Sequence, residues 1–308
     1  MRTRFLLLLA VLAQTCYAAE NARQTVSLGH SAKMESAQLG TTHEINVLLP
    51  ASYAENLTST FPVVYIIDGG VKQDFKHIAG LGTLPDSNPL VFQSAIYVGI
   101  STEQRLFELT APNHDPRYAK PEGSLGGAAQ FRQFIIDQVI PWIETQYRTN
   151  SQRIIMGESL AGLFILETWL QQPELFTDYI AISPSLWYDD RYLAKHANSL
   201  LKMHADQPRR LYLTMASEGG TMQRGLDEIL AAVEQRNFKH LDVKYVDRSK
   251  AEHHWTIYHE AALDALRWTL PVPEPSWINE PDPWYLVEGA NPPGWNTRSA
   301  PLSAPRHD

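Results

Sequence analysis

The stretch Arg153-Ile154-Ile155-Met156-Gly157-Glu158-Ser159-Leu160-Ala161-Gly162-Leu163-Phe164 decides the fold. A short apolar run, typical of a buried strand, is followed by a turn of small residues with a serine at its tip, and a helical pattern follows directly. The turn has the spacing G-x-S-x-G, except that Ala161 occupies the last glycine position. A reversal this sharp leaves room only for small side chains two residues before and after the serine. A motif this short also occurs by chance, so its significance depends on the rest of the chain.

Strand-like and helical patterns alternate along the chain on both sides of this stretch. Apolar runs typical of strands lie at 42–50, 61–67, 94–100, 153–156, 179–183, 210–215 and 241–246. Helical spacing of apolar residues is found at 130–146, 160–172, 190–203, 226–236 and 260–268. The first strand alternates polar and apolar residues, which is typical of an antiparallel or edge strand. The alternation predicts an α/β fold with a mostly parallel central sheet and helices on both faces.

The amino terminus has the composition of a secretory signal peptide. Residues 1–4 are basic, residues 5–13 are apolar, and small residues lead up to Ala18 and Ala19. The apolar run is far shorter than the ~20 residues that a membrane span needs. We therefore expect a signal peptide over residues 1–18, cleaved after Ala18 or alternatively after Ala19, and a protein that is secreted or periplasmic.

Composition limits the remaining possibilities. Cys16, the single cysteine, lies in the predicted leader, so the mature chain is expected to have neither disulfides nor thiolate chemistry. The length and the hydrophobic content favour one large domain over residues 19–270. A net charge of −8 without any basic run argues against nucleic acid as a partner. No further apolar segment approaches membrane length, so stable membrane insertion is not expected.

Residues 271–308 differ in composition from the rest, because they are rich in proline and contain Trp277, Trp284 and Trp295. We interpret this segment as an extended tail whose tryptophans dock on the domain. The alternative is that it folds over the mouth of a substrate site.

Candidate catalytic residues occur in the order serine, acid, histidine. Glu218 follows the strand at 210–215, and His253 and His254 follow the strand at 241–246. A nucleophilic serine needs a base within hydrogen-bond reach and an acid that orients the base. Other interpretations stay open: Glu218 as a helix-leading acid, and Asp189 or Asp190 as the acid or, preferably, as a helix cap.

Four segments resemble one known family. Residues 61–69 are similar to its "YPVLYLLDG" strand, 156–163 to "MGHSLGGL", 173–187 to "PELF…ISPSLWW" and 251–256 to "GENHGS". By these motifs the chain resembles the putative-esterase family of α/β-hydrolases, which includes enterobactin and other siderophore esterases and is related to esterase D. The resemblance covers residues 40–268. Glu158 and Ala161 depart from the family pattern, but neither removes a required group.

The resemblance implies roles for individual residues. Ser159 matches the family's nucleophile, and His254, rather than His253, matches its base. Glu218 matches an acidic residue that some members of the family lack. The oxyanion would be bound by the backbone N–H groups of Leu160 and Gly70. His253, His254 and His259 lack the spacing of a zinc site, so neither a metal nor another cofactor is expected.

The substrate is less constrained by the sequence. Residues 101–117 resemble the family's "NTDRxRDLTP" loop, in which Arg105 or Arg117 would meet an anionic ligand such as a catecholate; solvated ion pairs are the alternative. The sequence thus favours an exported serine carboxylester hydrolase that acts through an acyl-enzyme on siderophore-type or other small esters. Alternatives are an acyltransferase of the mycolyltransferase type, with a sugar as the acceptor, and a non-catalytic binding protein on the same fold.

Overall fold

The computed structural model of the protein describes residues 26–118, 125–202, 204–205 and 207–273. The predicted signal peptide at 1–18 lies outside these residues. So does the tail from residue 274 onward, with Trp277, Trp284 and Trp295. Both assignments stay predictions.

Eight strands form one sheet in the described part of the chain. They are β1 (His30–Ser36), β2 (Thr41–Leu48), β3 (Phe61–Ile67), β4 (Ile96–Ile100), β5 (Thr149–Glu158), β6 (Asp178–Ile182), β7 (Arg209–Met215) and β8 (Leu241–Asp247). Their order across the sheet is β1-β2-β4-β3-β5-β6-β7-β8. Pairing is antiparallel for β1 with β2 and for β2 with β4, and parallel throughout the rest. The predicted mostly parallel sheet is confirmed, and β2 is an interior antiparallel strand because β1 covers its edge.

Helices cover both faces of the sheet. They are α1 (Ser52–Glu55), α2 (Phe75–Leu81), α3 (Leu84–Ser87), α4 (Arg105–Glu108), α5 (Ala128–Phe134), α6 (Ile140–Gln146), α7 (Leu160–Gln171), α8 (Tyr192–Leu201), α9 (Gly220–Arg236) and α10 (Ile257–Thr269). Side chains of α5 to α9 build the larger core on one face. Those of α2 and α10 build a second core on the other face. Strands β3, β4 and β6 are buried along their whole length, as parallel strands covered on both faces must be.

The turn from β5 into α7 holds Ser159 in a left-handed conformation, with φ 62° and ψ −118°. Its backbone N–H donates to the carbonyl of Ile182 at 3.0 Å, and its carbonyl accepts from the N–H of Ser185 at 3.0 Å. A Cβ placed on Gly157 would lie 2.6 Å from the Cβ of Ala161, well inside van der Waals contact. Alanine is therefore tolerated at position 161 because position 157 carries no side chain.

Several helix boundaries differ from the predicted ones for identifiable reasons. The predicted helix at 130–146 is interrupted by a π-helical segment at Ile135–Val139, directly before Pro141. A proline lacks the N–H that an α-helix needs there and its ring crowds the preceding turn, and the wider π turn accommodates both. Helix α9 begins at Gly220 rather than 226, because its first turn contains a single apolar side chain, Met222, which is too little to show a helical period.

The short helices α1 to α4 were not predicted, because one or two turns contain too few residues to show a helical period. Helix α2 packs against α10 on the second face and follows the loop that leaves β3. Among the described residues, no helix combines the length and the apolar character required to span a bilayer.

The contact between positions 157 and 161 generates a stability prediction. Gly157→Ala would force two methyl groups together, and we expect a loss of about 1–3 kcal/mol in the free energy of unfolding, as is usual for overpacking. Ala161→Gly serves as the matched control, and Gly157→Ala combined with Ala161→Gly should regain most of the loss. Urea denaturation of the three variants measures this. An additive double variant would contradict the proposed steric conflict.

Candidate active site

Three loops that follow parallel strands bring polar side chains together at the carboxyl-terminal edge of the sheet. Ser159 follows β5, Glu218 follows β7 and His254 follows β8. These strands all run in the same direction, so the residues that follow them meet at one edge, where ligands bind in open α/β sheets.

A hydrogen-bonded line connects the three side chains. The Nδ1 of His254 lies 2.7 Å from Oε1 of Glu218, and its Nε2 lies 3.1 Å from Oγ of Ser159. An ionised carboxylate only accepts, so the neutral imidazole carries its proton on Nδ1 and leaves Nε2 free to accept from the serine hydroxyl. The geometry therefore allows proton transfer from Ser159 to His254, with Glu218 fixing the tautomer.

The neighbouring histidine has a different position. His253 Nδ1 lies 2.6 Å from the hydroxyl of Ser217, and the backbone N–H of Ser217 donates to the carbonyl of Glu252 at 3.1 Å. These bonds join the loop after β7 to the loop after β8. The ring that contacts Ser159 is that of His254, whereas the ring of His253 links the loop after β7 to the loop after β8.

Electrostatics favour a charged pair between the acid and the histidine. Partial burial disfavours a charge on Glu218, but the hydrogen bond from His254 and the nearby hydroxyl of Ser183 outweigh this effect and lower the pKa of the carboxyl. The hydrogen bond to Glu218 raises the pKa of His254 against the opposing effect of burial, and the charge of Glu158 adds to the rise. The site thus stabilises an imidazolium on His254.

A second carboxylate faces the same histidine. Glu158, directly before Ser159, has its Oε1 3.9 Å from Nδ1 of His254. The pKa of Glu158 is raised to about 7, mainly by burial; the charge of His254 opposes the rise, as does that of Arg105, whereas Asp74 and Glu218 contribute to it. The sequence showed this residue only as a departure from the family pattern.

The two N–H groups predicted to bind an oxyanion differ in their partners. The N–H of Leu160 belongs to the first turn of α7 and contacts no acceptor within the described residues, as expected for a helix N-terminus. The N–H of Gly70 donates to Oε1 of Gln73 at 2.9 Å, and the amide of Gln73 donates to the carbonyl of Thr102 at 2.9 Å. In this structure Leu160 offers the open donor, and the donor of Gly70 is occupied by Gln73.

Asp68 holds the turn that carries Gly70. Its carboxylate is buried and accepts from Nε of Arg105 at 2.8 Å and from the hydroxyl of Thr102. The residue has a left-handed φ of 59°, and its carbonyl accepts from the N–H of Asp74 at 2.8 Å. Burial raises the pKa of Asp68, and the charge of Arg105 and the bonds from Thr102 and Arg105 counteract that rise.

The two arginines predicted to bind substrate occupy different environments. The side chain of Arg105 is 42% exposed, bonds to Asp68, and is close enough to His254 for its charge to lower the pKa of that imidazole. The side chain of Arg117 is 72% exposed and is bound to Asp115. Arg105 therefore faces the candidate site, and Arg117 has the environment of a solvated ion pair.

The alternative acids do not take part in the site. Asp189 is buried and accepts from the backbone N–H groups of His114 and Asp115 at 2.8 and 2.7 Å. Asp190 pairs with Lys195 at 2.7 Å. The preferred interpretation as a helix cap is wrong, because α8 has no side-chain cap and begins only at Tyr192, after three residues with positive φ. These aspartates instead fix the loop around residue 115 and the start of α8.

Two side chains beside the triad were not singled out from the sequence. The hydroxyl of Ser185 lies 3.2 Å from that of Ser159, within a segment noted only for its resemblance to the family. Trp255, directly after His254, is 88% exposed, and its ring meets the imidazole edge-on at 5.5 Å between centroids. No pattern of apolar spacing marks either residue, because both lie in loops. Over the described residues, no group of three or more potential ligands is arranged to hold a metal ion.

Comparison with known proteins gives consistent matches. The family described as "Putative esterase" matches residues 36–269. The chain is 30% identical over 171 residues to the ferri-bacillibactin esterase BesA of Bacillus subtilis, covering 50% of this chain and 58% of that protein. It is 24% identical over 231 residues to a siderophore triacetylfusarinine C esterase of Aspergillus fumigatus, covering 68% and 75%. The structure of an IroE-like serine hydrolase from Shewanella oneidensis matches with a TM-score of 0.68 and 27% identity, covering 78% and 79%.

The bond between Glu218 and His254 generates a prediction that needs no substrate. Glu218→Gln removes the negative charge beside Nδ1, so the pKa of His254 should fall. Proton NMR titration of the imidazole signals measures this. His204 is the internal control, because burial lowers its pKa and its ring bonds to the carbonyl of Leu170, at the end of α7 remote from the site, so its titration should not move. An unchanged titration of His254 would show that Glu218 does not support its charge.

Proposed function

The chain belongs to the putative esterase family, and on that premise we propose that it is a serine carboxylester hydrolase that acts through an acyl-enzyme. The single observation that carries the proposal is the line of hydrogen bonds from Ser159 through His254 to Glu218 at the carboxyl edge of the sheet. A serine alcohol is a weak nucleophile in water, and a base within hydrogen-bond reach activates it.

The proposed reaction has two halves. Ser159 Oγ attacks the ester carbonyl carbon while its proton passes to Nε2 of His254. The bond to the leaving alcohol then breaks, and the alcohol oxygen takes the proton from Nε2. Water repeats the sequence on the acyl-enzyme and releases the acid. In both halves the imidazolium is stabilised by Glu218, whose lowered pKa keeps it ionised in the range where His254 titrates.

Stabilisation of the oxyanion requires donors close to Ser159. The N–H of Leu160 is the first donor, because it is unpaired and immediately follows the nucleophile. The N–H of Gly70 becomes the second donor when the carboxamide of Gln73 turns away from it. The network around Asp68 keeps this turn in place whether or not the carboxamide has moved.

The surroundings of the site favour an ester that carries aromatic and anionic groups. Arg105 offers a half-exposed guanidinium close to His254, and Trp255 offers an exposed aromatic face beside the same ring. A catecholate has both features, since its ring can stack and its oxygens are negative. Relatives named as siderophore esterases support this substrate class, although the match spans only 58% of the bacillibactin esterase.

The proposal includes export, which rests on the amino-terminal sequence. Expressed with its own leader, the chain should be recovered from the periplasmic or extracellular fraction. Its mass, measured by mass spectrometry, should correspond to a chain that begins at Ala19 or Glu20. Recovery only from the cytosol with residues 1–18 still attached would contradict export. This preparation also supplies the protein for the ester assays.

The central test compares the wild type with Ser159→Ala. We expect the wild type to hydrolyse p-nitrophenyl butyrate and a ferric tri-catecholate ester, and the variant to lose about 10⁴-fold or more in kcat, because no other group supplies the nucleophile. Release of p-nitrophenol and separation of the catecholate products measure the rates. Equal, slow rates for both proteins would contradict the serine hydrolase mechanism.

A second test concerns the substrate class. Arg105→Met should raise KM for the anionic catecholate ester about 10-fold or more, since a charged hydrogen bond to the ligand is lost. Its effect on neutral p-nitrophenyl butyrate should be much smaller, so the ratio of the two kcat/KM values is the measurement. Arg117→Met is the matched control from the same loop region and should leave the ratio unchanged. An equal loss of kcat/KM on both esters would show that Arg105 only stabilises Asp68 and does not bind the substrate.

A further inference from the structure

Two carboxylates face one ring nitrogen in the site. Nδ1 of His254 lies 2.7 Å from Oε1 of Glu218 and 3.9 Å from Oε1 of Glu158. The single proton on Nδ1 is directed to Glu218, so Glu158 is too far away to share the hydrogen bond. It is close enough for a direct Coulombic interaction, which weakens only slowly with distance in a partly buried site.

The side chain of Glu158 is only 20% exposed, and its Oε1 is buried without a hydrogen-bond partner among the described residues. A carboxylate oxygen that faces a cation without any compensating hydrogen bond responds mainly to the charge of its surroundings. Its ionisation is therefore tied to that of His254 rather than to a local donor.

Charged and titratable groups from several elements surround Glu158. Asp74 comes from the loop before α2, Arg105 from α4, Glu218 from the loop after β7 and His254 from the loop after β8. Tyr258 on α10 is buried, and its hydroxyl has no hydrogen-bond partner among the described residues. Its pKa is raised by burial and by the charges of Asp74, Glu158 and Asp68. Since Arg105 already pairs with Asp68, negative charge is in excess around Glu158.

We propose that Glu158 is a second positioning carboxylate for His254, which acts through its charge rather than through a hydrogen bond. This inference rests on the proposed ester hydrolase function. The proton of Ser159 moves to Nε2 and from there to the leaving alcohol, and no proton passes to Glu158. When ionised, Glu158 stabilises the transient imidazolium together with Glu218. When protonated, it withdraws this support.

The pair of Glu158 and His254 therefore behaves as a coupled site. Burial and the surrounding carboxylates raise the pKa of Glu158 to about 7, and its charge raises the pKa of His254, so both groups titrate in the same range. As the pH rises through this range, His254 becomes a free base and Glu158 gains its charge. Both changes increase activity, so the acid limb of the wild-type pH profile should be steeper than a single-proton titration.

Glu158→Gln tests the proposal by keeping the shape of the side chain and removing its charge. We expect kcat/KM on p-nitrophenyl butyrate to fall about 10-fold at about pH 9, where the wild-type carboxylate is ionised. The acid limb should move to lower pH and become a single-proton limb, so the two profiles converge at about pH 5.5. Glu158→Asp retains the charge, so the acid limb of its pH profile should have the same position and slope as that of the wild type.

Glu144→Gln is the matched control for loss of one negative charge, because Glu144 lies on α6 and pairs with Arg153 in the half of β5 that is farther from Ser159. Its profile should coincide with that of the wild type. A Glu158→Gln profile that runs parallel to the wild type at every pH, with a uniform loss, would overturn the proposal and leave Glu158 as a structural residue.

NMR titration of His254 separates this outcome from failure of the proposed function, because it requires no turnover. The His254 signal, assigned by its absence in His254→Gln, should titrate at lower pH in Glu158→Gln than in the wild type. If the enzyme lacks esterase activity but the titration shifts, the function is wrong and the electrostatic coupling stands. If esterase activity is present and the titration of His254 does not move, the coupling is wrong and the function stands.

Discussion

The left-handed backbone of Ser159 is the constraint on which the site depends. A non-glycine residue with φ 62° is strained by roughly 1–3 kcal/mol, and such a conformation persists only when its surroundings enforce it. Here β5 enters the turn, α7 leaves it, and bonds to Ile182 and to the N–H of Ser185 fix both sides of the peptide. The strain is offset by the burial of α7 along almost its whole length. The helix thus acts as the anchor for the serine at its start.

Negative charge is concentrated around the edge of the sheet that carries Ser159. Asp68, Asp74, Glu158 and Glu218 lie there, near Arg105, His254 and, beside Asp74, His77. Burying several carboxylates costs stability unless each has a partner. Asp68 has Arg105 and Glu218 has His254, whereas Oε1 of Glu158 has no hydrogen-bond donor among the described residues and lies 3.9 Å from the same His254. That imbalance makes the imidazolium of His254 favourable during turnover, because it supplies the missing positive charge.

The sequence predicted the architecture well where the signal was long and periodic. Seven of the eight described strands and the longer helices follow from apolar spacing, whereas β1 is mostly exposed and has no apolar run. The order of Ser159, Glu218 and His254 follows from the loops after β5, β7 and β8. Short helices such as α2 and the π-helical segment before Pro141 contain too few residues to show a periodic pattern of apolar side chains, so the sequence did not predict them. Arg105 and Arg117 are chemically the same in sequence, and only the fold places one beside His254 and the other in solvent. The surroundings of Glu158 come from five separate elements and loops, which no local pattern could bring together.

The bond between Ser217 and His253 has a mechanical consequence. It joins the loop of the acid to the loop of the base, and the backbone bond from Ser217 to Glu252 reinforces the joint. Glu218 and His254 therefore lie on two loops that are bonded to each other, whereas Ser159 lies on the turn between β5 and α7. Small motions of this edge of the sheet would preserve the distance between Glu218 and His254 and would change the distance between His254 and Ser159. The distance of 3.1 Å between Nε2 of His254 and Oγ of Ser159 is thus the one that controls whether the base can accept the proton of the nucleophile.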